Sequence, residues 1–172
     1  PLAARLNESP SRPYVMLGDG EIQEGQVWES AMFAAFHKVD NLAAIVDYSK
    51  IQLDGFVKDI MDLEPLPAKW KSFGWHVITL DGHNIPALRA AFAEAEATKG
   101  KPTVLIANTI KGKGVSFMED DNNWHYRIPT AEEVIASADV LITQLESPPD
   151  TGTHALHLPR RDDARIAKAR DE

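Results

Sequence analysis

The chain contains no cysteine, which excludes a disulfide framework and thiol chemistry and is compatible with a cytoplasmic location. No apolar run approaches transmembrane length, so no segment reads as a membrane span. Basic residues are in deficit: 18 Lys and Arg against 26 Asp and Glu give a formal net charge of -8. They are also dispersed, which disfavours a nucleic-acid surface, because that needs clustered positive charge. The opening PLAARLNESPSRP has neither the charged start nor the apolar centre of a signal peptide, and it lacks an initiator methionine. Internal repeats are absent, and His37, His76, His83, His154 and His157 have no spacing that suggests a metal cluster. What is present is a globular composition, 44% hydrophobic over 172 residues, enough for one domain with a core.

Hydrophobic periodicity predicts an α/β fold, a parallel sheet with flanking helices. Apolar runs at 14–17, 41–48, 75–80 and 103–110 read as strands, the first two as buried ones. Helical spacing marks 24–39, through Val27, Ala31, Ala34 and Ala35, and 85–98, through Leu88, Ala91, Phe92 and Ala95. Thr130 with Glu133 makes a capping box for a helix running to about residue 146. Residues 1–146 are thus expected to form the domain. Residues 147–172 read as a polar, flexible tail, with a short charged helix possible near 162–169.

Chemistry concentrates in LGDGEIQEGQ and the strand that follows it. Gly18, Asp19 and Gly20 form a turn with little side-chain bulk, so backbone amides can approach an anion. The strand over 41–48 delivers Ser49, Lys50 and Ile51 to the same carboxyl edge of the sheet, where open α/β sheets bind ligands. Magnesium takes oxygen ligands, commonly one or two protein groups plus phosphate oxygens. Asp19 can supply a carboxylate, Ser49 a hydroxyl and Ile51 a carbonyl. The bland alternative is an ordinary turn with Asp19 as an Asx or N-cap residue. Lys111 to Gly114 form a basic glycine loop that either closes over phosphate or is a solvated connector. Its spacing is not that of a Walker motif.

The GDG, the following EG, and a second polar turn with DG about thirty residues on resemble the thiamine diphosphate signature of transketolases. KWKSFGWHVITLDGHN (69–84), GKPTVLIANTIKGKGVSFME (100–119) and NWH (123–125) are similar to successive blocks of the same amino-terminal, diphosphate-binding part. The resemblance spans 13–134 and implies a partial thiamine diphosphate-binding fold. It implies that Asp19, Ser49 and Ile51 hold Mg²⁺ (or Ca²⁺ or Mn²⁺), that Gly18, Gly20 and Glu21 lie along the diphosphate, and that Leu53 sits against the thiazolium ring. His125 is implied to contact the diphosphate and handle substrate oxygens or protons, a task open to imidazole near neutral pH. Glu24 and Glu29 match acidic positions of a network between the two cofactor sites of a dimer. From the residues alone, Glu24 equally reads as a helix-capping group and Glu29 as a solvated helix glutamate. Two positions depart from the pattern: Ser49 stands where the family has asparagine, and Tyr126 where it has glycine.

The resemblance further implies a transferase that moves a two-carbon ketol unit from a ketose phosphate to an aldose phosphate, as in pentose phosphate metabolism. The family's preceding amino-terminal segment and its pyrimidine-binding domain have no counterpart here. Activity would then require a pyrimidine-binding partner chain, as in split transketolases, within a dimer or heterotetramer. Rival readings are another thiamine diphosphate enzyme, such as a deoxyxylulose phosphate synthase or a keto-acid dehydrogenase component, and a non-catalytic remnant acting as an interaction protein.

Overall fold

A computed structural model describes residues 1–146; the expected tail and its short helix lie outside the described residues. The elements run α1 (Leu2–Leu6), β1 (Tyr14–Gly18), α2 (Gly25–Phe36), β2 (Ala43–Tyr48), β3 (Ile51–Gln52), β4 (Gly55–Phe56), α3 (Val57–Ile60), α4 (Leu66–Ser72), β5 (His76–Asp81), α5 (Ile85–Ala97), β6 (Thr103–Asn108) and α6 (Ala131–Glu146). Short 3₁₀ turns occupy Glu21–Gln23 and Asn122–Trp124. Two compact units divide the chain after Thr109. No helix among the described residues is long and apolar enough to cross a membrane.

The first unit is built on a parallel four-stranded sheet in the order β1-β2-β6-β5. β2 and β6 are central, and burial on both faces explains why they read as unbroken apolar runs. Alternation divides them between two layers. Ala44, Val46, Tyr48, Val104 and Ile106 join one cluster with Ala31 and Trp70, while Ala43, Ile45, Leu105 and Ala107 pack with Ala91 and Ala95 of α5. The first layer is aromatic-rich: Trp28 stacks at 5.2 Å on Trp70, and Trp75 donates its indole N–H to the Ala31 carbonyl at 2.9 Å. The tryptophan hydrogen bond ties α2 to the start of β5. Helix α5 begins where Asn84 accepts from the Ala87 amide, with Pro86 in the first turn.

One strand differs from its sequence reading. β1 is not buried: Tyr14, Val15 and Met16 are 51%, 40% and 69% exposed. Among the described residues it pairs only with β2, so it is an edge strand, and an apolar run cannot reveal edge position. The β3–β4 hairpin after the second turn was also not legible, since it consists of two residue pairs.

The second unit, described from Ile110 to Glu146, opens with the Lys111–Gly114 loop. Gly112 has φ 72 and lies where a Cβ would meet the Met118 backbone at 2.6 Å, so only glycine fits that turn. Phe117 packs on Trp124 at 5.2 Å, and the Arg127 guanidinium covers Trp124 at 4.2 Å. The predicted capping box forms: Glu133 accepts from the Thr130 amide at 2.9 Å and Thr130 Oγ1 accepts from the Glu133 amide at 3.3 Å. Arg127 grips both Glu133 oxygens at 2.6 and 2.8 Å, fastening the turn to α6.

Candidate functional site

The β1–β2 ladder pairs Gly18 with Asp47, so the residues just past the two strand ends meet at the carboxyl edge of the sheet. Asp19 is 3% exposed there. Its Oδ1 accepts from the Gly20 amide at 2.8 Å, and its Oδ2 accepts from the Lys50 amide and from Ser49 Oγ at 3.4 Å. Ser49 Oγ also lies 3.2 Å from the Ile51 carbonyl oxygen and accepts from the Ile51 amide at 3.4 Å. The two turns are thus joined by one carboxylate. Lys50 holds its amide in place with a left-handed backbone, φ 67, a conformation that ordinarily favours glycine.

Electrostatics make this carboxylate a charge in search of a counter-charge. Burial pushes the Asp19 carboxyl above its ordinary value, outweighing the Lys50 and Gly20 amides and the Ser49 hydroxyl, which hold it down. Asp47 nearby pushes in the same upward direction. Next to Ser49, the buried Tyr48 phenol donates to Glu64 Oε1 at 2.6 Å, while Glu64 Oε2 accepts from the Leu66 amide at 2.8 Å. Burial, then the Glu64 hydrogen bond and charge, raise the phenol's pKa, so Tyr48 stays a neutral donor and braces the second turn.

The oxygen geometry suits a small hard cation. Neighbouring ligands of octahedral magnesium, at roughly 2.1 Å from the metal, are about 3.0 Å apart. Ser49 Oγ lies 3.4 Å from Asp19 Oδ2 and 3.2 Å from the Ile51 oxygen, close to that separation. Among the described residues no three His, Cys, Asp or Glu side chains cluster for a metal. A cation here would therefore complete its shell with phosphate oxygens and water, the usual habit of magnesium.

The glycine turn differs from its sequence reading in one respect. The Gly20 amide is engaged by Asp19, and the Gly18 amide donates to Glu21 Oε2 at 3.0 Å. Both are used within the turn rather than held open to an anion. What Gly20 does offer is closeness: a Cβ there would lie 2.9 Å from Gln52 Cβ. Leu53 follows on the β3–β4 hairpin, 52% exposed. Glu24 occupies the N-cap position of α2 without a side-chain capping bond, so it does not act as that cap. Glu29 is exposed on α2, on the rim of an open depression with Leu2, Ser30, Phe33 and Leu42. His125 is exposed in the second unit, at the end of the Asn122–Trp124 turn and next to the exposed Tyr126.

Sequence reasoning placed Lys50 at this edge without a role and did not single out Tyr48, Glu64 or Gln52. For Lys50 a signal existed, a non-glycine residue inside a tight polar turn. The Tyr48–Glu64 bond joins residues sixteen apart and carries no local pattern.

An open parallel α/β sheet with a buried carboxylate and neighbouring polar oxygens at its carboxyl edge has the form of a ligand-binding domain. Comparison with known proteins makes the class specific. The family described as transketolase, thiamine diphosphate binding domain, matches residues 5–143. The 6-deoxy-6-sulfo-D-fructose transketolase subunit SqwG of Clostridium sp. (strain MSTE9) is 48% identical over 118 residues, 69% of this chain and 43% of that protein. An apulose-4-phosphate transketolase subunit of Actinobacillus succinogenes is 44% identical over 133 residues, 77% of this chain and 48% of that protein. The crystal structure of Campylobacter jejuni transketolase superposes with a TM-score of 0.71 at 27% identity, covering 95% of this chain and 26% of that one. The chain belongs to the transketolase thiamine diphosphate-binding domain family, and it spans about half the length of these two relatives.

Proposed function

We propose that this chain is the diphosphate-side part of a transketolase that binds magnesium thiamine diphosphate and works with a pyrimidine-binding partner chain. The observation that carries the reading is the meeting of Asp19, Ser49 and the Ile51 carbonyl at one sheet edge, with oxygen separations of 3.4 and 3.2 Å. When bound, thiamine diphosphate supplies the nucleophilic carbon and the electron sink for cleaving a carbon–carbon bond beside a carbonyl. This chain's residues would fix the cation: Asp19 would contribute charge, Ser49 and Ile51 neutral oxygens, and Gly18, Gly20 and Glu21 would lie along the diphosphate. Leu53 offers an apolar surface to the cofactor ring, and His125 is the group that meets substrate oxygens. Glu24 and Glu29 take part in a network between paired cofactor sites.

The partner assignment is supported by relatives whose names call them subunits of transketolases. Substrates are then a ketose phosphate donor and an aldose phosphate acceptor, exchanging a two-carbon ketol unit in the cytoplasm. The test is reconstitution of the full chain with its pyrimidine-binding partner. Magnesium-dependent cofactor binding by calorimetry, with two-carbon transfer between sugar phosphates, is expected. Absence of cofactor binding in the reconstituted complex would overturn the assignment.

A further inference from the structure

Gln52 follows the Ile51 carbonyl, and because side chains alternate along an extended segment, it points away from the side on which Ile51 is buried. Its carboxamide lies against Gly20: a Cβ on that glycine would be 3.3 Å from Oε1 and 3.6 Å from Cδ. Oε1 is buried and has no hydrogen-bond partner. A buried acceptor left unpaired is costly, so such an atom beside a polar turn calls for a partner. An amide oxygen only accepts, so a diphosphate oxygen cannot satisfy it. A cation, or a water held by one, can.

We propose that Gln52 is a further oxygen of the cation site, its Oε1 accepting a hydrogen bond from a water on the metal, an inference that rests on the magnesium diphosphate reading above. Asp19 and Ile51 then bind the cation from the two turns, while Gln52 orients its hydration from the Gly20 side. Outer-shell partners of this kind typically change metal affinity by roughly 10–100-fold when removed. Gln52 is therefore a positioning residue for the metal rather than a group that touches the reacting atoms.

The experiment titrates Mg²⁺, and separately Mn²⁺, into the full chain with its partner and thiamine diphosphate, for wild type, Gln52→Leu and Gln52→Glu. Gln52→Leu should weaken cation affinity about tenfold or more while the cation-free melting temperature holds or rises, since an unpaired acceptor is removed. Gln52→Glu keeps an oxygen acceptor and should retain or tighten cation binding. Unchanged affinity in Gln52→Leu would overturn the proposal. Loss in both variants would overturn it too, because it would mean that the amide nitrogen donates to the phosphate instead. Failure of the wild type to bind at all would overturn the magnesium diphosphate reading itself and is distinguishable from either result.

Discussion

Replacing Ser49 with alanine separates a bracing role from a ligand role. The hydroxyl has one hydrogen, which it gives either to Asp19 Oδ2 at 3.4 Å or to the Ile51 carbonyl at 3.2 Å, and it accepts from the Ile51 amide at 3.4 Å. At most two of these bonds exist at once, and all are long, so each belongs at the weak end, about 0.5 kcal/mol. Asp19 keeps both backbone donors in the variant. The expected loss of folding stability is therefore about 1 kcal/mol, or roughly 2–4 °C in melting temperature for a domain of this size. Cation affinity should fall far more, by at least about tenfold, because the oxygen removed stands at ligand spacing from the other two. Melting followed by circular dichroism, and magnesium titration of thiamine diphosphate binding, measure the two effects on the same protein. A drop of about ten degrees or more, well beyond the 2–4 °C range, with an unchanged magnesium midpoint would refute the reasoning and make Ser49 a purely structural residue.

Ser49→Asn should tighten magnesium-dependent cofactor binding, since an amide oxygen is a stronger neutral donor than a hydroxyl; unchanged or weaker affinity in calorimetry would count against the position as a ligand. Burial raises the Asp19 pKa in the folded chain above its ordinary 3.8, so between the unfolded and folded values the folded state holds more protons. The cation-free protein should accordingly lose Asp19's contribution to stability as pH rises through a window opening near 3.8, and cation affinity should climb across the same window. Chemical denaturation of wild type and Asp19→Asn as a function of pH tests this, and a wild type that gains stability over the variant as pH rises would be the contrary result. In the second unit, Glu133→Ala removes the capping acceptor and strands Arg127, at a cost of about 1–3 kcal/mol. Hydrogen exchange at the first turn of α6 should accelerate, and unchanged protection there would show that the box contributes nothing.

Central strands and the α5 helix were legible because their physics is local. The run AAIVDY must be apolar where helices cover both sheet faces, and Leu88, Ala91, Phe92 and Ala95 fall on one helical side wherever that helix packs. Exposure of β1 was not legible, since the same apolar letters serve an edge or a centre and only the strand order decides between them. At the site, the types and spacing of Asp19, Ser49 and Ile51 suggested a cation, but their meeting depends on the β1–β2 register and on a left-handed Lys50. The Gly20–Gln52 contact is invisible in sequence because the hairpin that aims Gln52 is only two pairs long.

The central claim is that Asp19 holds the cation for the cofactor diphosphate. Calorimetry of thiamine diphosphate binding to the full chain with its pyrimidine-binding partner, with and without magnesium, for wild type and Asp19→Ala, tests it most directly. Wild type should bind only when magnesium is present, and Asp19→Ala should not bind in either condition. Magnesium-dependent binding retained by Asp19→Ala would contradict the account.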